Sequence, residues 1–122
     1  MLEIMKCHRC GKLAMIIREG GQRTICCDQL MEKLVEKGQS LHAPVIKGGG
    51  SMIDVVIPGV TNPMGSNHYI EWIEVIDGPY LHVKGLKPGD APQAEFAVTN
   101  PQVKVRAYCE EHGLCSNHPS KH

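Results

Sequence analysis

The chain has no net charge: thirteen Lys and Arg side chains are matched by thirteen Asp and Glu over 122 residues. Without a net field or a run of like charges, nothing in the sequence recruits nucleic acid or an anionic membrane surface. Long apolar runs are also lacking. No stretch approaches the about 20 residues that a membrane-spanning helix requires, and the opening MLEIMKCHRC has no apolar segment of the secretory kind. These absences predict a soluble cytoplasmic protein with neither nucleic-acid nor membrane partners. Internal repeats and low-complexity tracts are missing too, apart from the short loop Gly48-Gly49-Gly50.

What is present is enough apolar residue, 42%, for one modest core, with room for a small appendage that needs its own staple. Six cysteines in a reducing compartment point to metal binding or redox chemistry rather than disulfides. Four of them fall before residue 36, and none lies between Cys27 and Cys109. That contrast predicts two domains, 1–36 and 37–122, with the break near Glu36 to Ser40.

In the first domain, Leu13 to Arg18 reads as a strand, Gly20-Gly21 as a turn, and Arg23 to Cys26 as the return arm of a hairpin. Gln29 to Lys37, with Leu30 and Leu34 four apart, reads as a short helix. In the second domain MIDVVIP, HYIEWIEVI, PYLHVKGL, AEFAVT and VKVRAYC read as strands, and Lys87-Pro-Gly-Asp90 as a turn. Strands at that spacing without a convincing helix predict an all-β fold, an antiparallel sandwich behind a small knuckle domain. Alternation places Val103, Val105, Ala107 and Cys109 on one inward face, and His68, Ile70 and Trp72 on another.

Cys7-His8-Arg9-Cys10-Gly11 is a CxxC knuckle, and fifteen residues separate it from the adjacent pair Cys26-Cys27. Two short loops that each supply two thiolates can surround one tetrahedral ion with little loss of chain entropy. The competing reading is a redox CxxC beside two buried thiols, but the βαβ setting of such motifs is absent. Iron and zinc both suit four thiolates, and the spacing does not separate them.

The motifs CHRCG, ICC, HAPVI, NPMGSNHYIEWIEV, LKPGDAP and YCEEHG occur in this order over nearly the whole chain. In that order they resemble desulfoferrodoxin, the two-iron form of superoxide reductase. The resemblance implies a desulforedoxin-like first domain and an immunoglobulin-like, neelaredoxin-like second domain. It also implies a second iron held by four equatorial histidine nitrogens and one axial cysteine thiolate, with the sixth position open to substrate. By motif, His42, His68, Cys109 and His112 correspond to three of those histidines and the cysteine, and are the expected catalytic and metal-binding residues. Neutral imidazoles suit ferrous iron, and a trans thiolate pushes electron density toward the open position.

Two departures touch this site. Where the family has its remaining histidine, before Pro63, this chain has Asn62, a poorer donor that implies weaker metal binding and two open positions. Where the family often has Glu-Lys before the first histidine, this chain has Ser40-Leu41, which removes a cation that attracts superoxide. Lys37 and Lys47 are candidates to replace that cation, though both read as ordinary solvated lysines. His82, His118 and His122 are candidate substitute ligands that read as solvated histidines. Cys115 reads either as an extra ligand or redox thiol, or as a small apolar packing residue.

Three functions follow from the resemblance. The first is superoxide reduction to hydrogen peroxide, with a small electron-donor protein such as a rubredoxin restoring ferrous iron and the four-cysteine iron serving as a relay. The second is a diverged iron enzyme whose two open positions chelate a different substrate. The third is an electron carrier or metal-binding protein with a degenerate second site. The resemblance also implies a homodimer.

Overall fold

The computed structural model describes residues 2–38 and 42–118. The chain divides into two compact units, Met1–Val35 and Glu36–His122. No helix among the described residues is long and apolar enough to cross a membrane.

In the first unit β1 (Glu3–Lys6) lies between β2 (Leu13–Ile16) and β5 (Glu32–Lys33), all antiparallel, while β3 (Ile25–Cys26) and β4 (Gln29–Leu30) form a separate hairpin. The partner of β2 is therefore β1, and Arg23 to Cys26 is not its return arm. The cause is the knuckle itself. Cys7 N–H donates to the Lys12 carbonyl at 2.9 Å and Gly11 N–H to the Cys7 carbonyl at 2.8 Å, with Gly11 at φ +82°, so the chain reverses there. The helix expected over Gln29 to Lys37 is likewise replaced by β4 and β5. Met31 N–H donates to Thr24 O and Leu34 N–H to Ile4 O, both at 2.9 Å, so pairing with earlier strands takes the backbone groups a helix would use.

The second unit is an antiparallel β-sandwich. One sheet has β7 (Met52–Val56) between β10 (Gln93–Phe96) and β6 (Val45–Gly49). The other runs β12 (Gly113–Ser116), β11 (Lys104–Cys109), β8 (Ile70–Asp77), β9 (Tyr80–Gly85). Ile53 and Val55 of β7 and Ala94 and Phe96 of β10 meet Ile70, Ile73 and Val75 of β8 and Val105, Ala107 and Cys109 of β11 in one core. The expected inward row holds along β11 and the residue before it: Val103, Val105, Ala107 and Cys109 are each no more than 4% exposed.

On β8 the alternation breaks. Cys109 pairs with Ile70 but Tyr108 pairs with Trp72, so Glu71 is an extra residue and the register shifts. Such a bulge reverses the facing of everything beyond it. Ile70 is in the core, while Trp72 lies on the opposite face and stacks on Tyr108, with ring centroids 5.9 Å apart and planes 11° from parallel. Ile70 and Trp72 therefore do not share a face.

That opposite face also carries buried charge. Arg106 and Glu74, 2% and 0% exposed, are cross-strand partners joined by a hydrogen bond from Arg106 Nε to Glu74 Oε1. Glu36 accepts from Arg106 Nη1 at 3.3 Å and from Lys104 Nζ at 2.7 Å. Burial pushes the Glu74 carboxyl above its ordinary 4.5, against the pull of Arg106. The native state thus holds this proton more tightly than the unfolded chain does, and the stability linked to Glu74 falls as pH rises above 4.5. Replacing Arg106 by Met leaves the carboxylate buried without its main partner, and the expected loss in urea unfolding at neutral pH is about 3–5 kcal/mol. The loss should shrink as pH is lowered, because the raised Glu74 carboxyl can then take up a proton. A loss that does not change with pH would show that an uncompensated carboxylate is not its cause.

Candidate metal centres

Among the described residues two clusters of side chains could hold an ion: Cys7, Cys10, Cys26 and Cys27, and His42, His68, Cys109 and His112. In each, the donor atoms lie within 4.8 Å of one another.

The first cluster is built from two turns. The knuckle carries Cys7 and Cys10. Cys26 ends β3, and Cys27 and Asp28, at φ +55° and +60°, are the two central residues of the hairpin joining β3 to β4. Two positive φ values are what a tight two-residue hairpin demands. Four thiolates arranged tetrahedrally at about 2.3 Å from an ion stand about 3.8 Å apart. Cys10 Sγ is 3.7 Å from Cys26 Sγ, which is 3.8 Å from Cys27 Sγ. The donor set therefore fits a tetrahedral ion. Hydrogen bonding from the Cys10 backbone N–H holds the Cys7 thiol down at about 6, whereas the neighbouring Cys26 thiol pushes Cys27 up to about 12. An ion of charge two bound there would displace the protons that the thiols carry.

The second cluster gathers donors from distant parts of the sandwich. His42 precedes β6, His68 ends the loop before β8, Cys109 ends β11, and His112 sits in the turn to β12. That turn closes where Cys109 pairs with Gly113, whose φ of +84° side-chain-bearing residues rarely adopt. His42 Nδ1 lies 2.8 Å from the Pro58 carbonyl. A carbonyl only accepts, so Nδ1 carries the proton and Nε2 presents its lone pair to the cluster. His42 Nε2 is 3.1 Å from His68 Nε2 and 3.1 Å from His112 Nδ1, and Cys109 Sγ is 3.7 Å from His112 Nδ1. Two nitrogens at right angles about an ion at about 2.1 Å stand about 3.0 Å apart, so these residues too fit a metal. His42 and Cys109 are buried, whereas His68 and His112 are half-buried and leave that side open to solvent. A pocket of about 230 Å³ adjoins His68 and Cys109, bordered by Glu71, Glu110 and Glu111.

The remaining sequence candidates fall elsewhere. Asn62 is exposed in the loop between β7 and β8, joined to Pro63 by a cis peptide. His82 meets Phe96 edge-on at 6.3 Å from β9, and His118 is exposed, its N–H donating to Ser116 Oγ. His122 and the Ser40-Leu41 pair lie outside the described residues. Cys115 is buried at 1% opposite Ala107 on β12, as a packing residue would be. Lys47 is exposed on β6. Lys37, also exposed, is more than a solvated lysine: its Nζ donates to the His112 carbonyl at 2.8 Å.

Residues with no donor of their own fix the site, and sequence reasoning missed them. Pro58 orients His42. Met64 is buried at 3%, its Sδ accepts from Ile70 N–H at 3.2 Å, and its backbone exchanges hydrogen bonds with Gly89 and Asp90. The LKPGDAP turn thereby anchors the loop that delivers His68. The signal was the turn motif itself, read for its shape but not for what it holds.

The first unit buries few apolar side chains, Ile4, Cys7 and Met31 among its described residues, a core small enough that an ion bound by the four cysteines would act as its main staple. Stripping metal from the reduced chain with a chelator is expected to abolish hydrogen-exchange protection in β1 to β5 and expose all four thiols to a thiol reagent. Retained protection would mean that the strands stand without an ion. Because the ligands must lose protons to bind, metal retention should fall as pH is lowered.

Residues 31–118 match the family model described as Desulfoferrodoxin. A desulfoferrodoxin homolog of Archaeoglobus fulgidus is 44% identical over 118 residues, spanning 93% of this chain and 94% of that protein. The desulfoferrodoxin of Nitratidesulfovibrio vulgaris is 40% identical over 116 residues, 91% of each. Among solved structures, a superoxide reductase from Treponema pallidum shares the fold with a TM-score of 0.73 at 24% identity, over 97% of this chain and 98% of that one. A superoxide reductase from Giardia intestinalis covers 71% of this chain and 99% of its own, with a TM-score of 0.50 at 25% identity. With relatives of this identity extending across both units, the chain belongs to the desulfoferrodoxin family.

Proposed function

We propose that the chain is an iron-dependent superoxide reductase, with the second cluster as its reaction centre and the four-cysteine cluster as a one-electron relay. The observation that carries this reading is the convergence of three imidazole nitrogens and one thiol at donor spacing on the half-open end of the sandwich. Reduction of superoxide to hydrogen peroxide takes one electron and two protons, and the chemistry that ferrous iron supplies at such a site is that electron. His42, His68 and His112 hold and orient the ion. Cys109, buried at 2%, gives a thiolate shielded from competing protons and oxidants. The half-buried imidazoles leave a side through which a small anion and solvent protons enter. A small electron-donor protein completes the cycle, and the family resemblance supports a cytoplasmic homodimer.

Asn62 favours a second reading. An exposed carboxamide stands where the family has its remaining imidazole, and a site with two adjacent free positions can chelate a bidentate substrate.

Anaerobically purified protein is expected to carry two irons per chain, and the reduced form to consume superoxide faster than free ferrous iron does. Cys109→Ser should abolish the thiolate-to-iron absorption band and the activity while leaving the four-cysteine iron in place. Asn62→His should slow iron release from the second site. One metal per chain would leave a carrier or structural role as the better account, and iron at both sites without superoxide consumption would favour another substrate.

A further inference from the structure

Lys37 belongs to the short connector that leads from the first unit toward His42, and this connector is fastened to the strand that leaves the second metal cluster. Lys37 N–H donates to the Leu114 carbonyl and Ser116 N–H to the Lys37 carbonyl, both at 2.9 Å, so the residue pairs in parallel with Cys115 at the edge of β12. One residue earlier, Glu36 is held by Lys104 and Arg106 of β11. With backbone and neighbour both fixed, the Lys37 side chain has a defined origin. It crosses Gly113, where a methyl group would sit 3.5 Å from its Nζ, and ends on the His112 carbonyl at 2.8 Å.

The His112 carbonyl belongs to the His112–Gly113 peptide, in a turn that Gly113 shapes with its φ of +84°. Fixing that peptide plane restricts the direction of the His112 side chain, whose Nδ1 meets His42 at 3.1 Å and Cys109 at 3.7 Å. A three-residue turn in solvent would otherwise let the half-buried imidazole swing away from the buried His42 and Cys109. An ammonium on a carbonyl is a charge-assisted hydrogen bond, stronger than one a neutral donor would give.

We propose that Lys37 is a positioning residue of the second metal centre: its ammonium clamps the His112 carbonyl and so holds the His112 imidazole at donor distance from His42 and Cys109. The proposal rests on the reading that this cluster holds iron only for its effect on the metal; the clamp itself belongs to the protein.

The test compares wild type, Lys37→Met, Lys37→Arg and, as a control, Lys47→Met in the full chain. Hydrogen exchange is read first on reduced, metal-free protein. Lys37→Met should speed exchange in the Cys109–Leu114 turn about fivefold or more, with the β7 and β8 core unchanged, while Lys37→Arg and Lys47→Met match wild type. On iron-loaded protein, Lys37→Met should release the second-site iron to a ferrous chelator about 10–100 times faster and shift the thiolate absorption band, with Lys37→Arg restoring both. Unchanged exchange in the turn of Lys37→Met would overturn the proposal. Should wild-type protein hold no second iron, the superoxide reductase reading falls, and the metal-free exchange comparison still decides the role of Lys37.

Discussion

Three imidazole nitrogens and a thiol sulfur held within 4.8 Å of one another, at the end of an apolar core, form an arrangement that no protein reaches by default. Buried polar atoms demand partners, and lone pairs directed at one another cost energy unless a proton or an ion lies between them. The rest of this end of the sandwich exists to hold that arrangement. Pro58 fixes the face that His42 presents, Met64 anchors the loop carrying His68, and Gly113 and Lys37 shape the turn that carries His112. The Glu71 bulge lets Ile70 remain in the core opposite Cys109 while Trp72 turns to the other face.

The buried ion network on the outer face supports the same end. Arg106 and Glu74 are paired across β11 and β8, and side chains alternate along both strands. A one-residue slip of either strand would drive a charged group into the core between Val105 and Ala107 or between Ile73 and Val75. The network adds little net stability, because desolvation offsets most of the attraction. Its physical effect lies in the penalty on wrong registers, and the register it protects is the one that puts Cys109 at the strand end facing the three histidines. Glu36 extends the network to the connector, placing Lys37 within reach of the site.

What the sequence made legible follows from how local each signal is. The knuckle at Cys7 to Cys10 and the Cys26-Cys27 pair declared themselves by spacing, and the inward row of Val103, Val105, Ala107 and Cys109 by strict alternation. The sandwich strands were visible for the same reason. Leu30 and Leu34 suggested a helix because four-residue spacing was all there was to read; Leu30 is in fact exposed at 53%, and β1 and β3 claimed the backbone instead. Alternation puts Trp72 on the same face as Ile70, whereas the Glu71 bulge turns it to the other; an extra residue in a ladder leaves no mark in composition. The gathering of His42, His68, Cys109 and His112 came from motif resemblance, since residues 70 apart carry no local sign of contact.

The two clusters differ in what they ask of the fold. The four cysteines are presented by two tight turns in a unit with few buried apolar side chains among its described residues, so an ion bound there and the fold would depend on one another. The second cluster is assembled at the end of a sandwich whose core is packed mainly by valine and isoleucine side chains from both sheets. On the proposed reading, metal there would be gained by a site that the sandwich has already organised, so a ligand could be lost without loss of the fold. On that reading the asymmetry accounts for an asparagine at position 62. The loop keeps its anchor through Met64, His42, His68, Cys109 and His112 stay converged, and the effect of the asparagine would fall on the chemistry of a bound ion rather than on the protein that surrounds it.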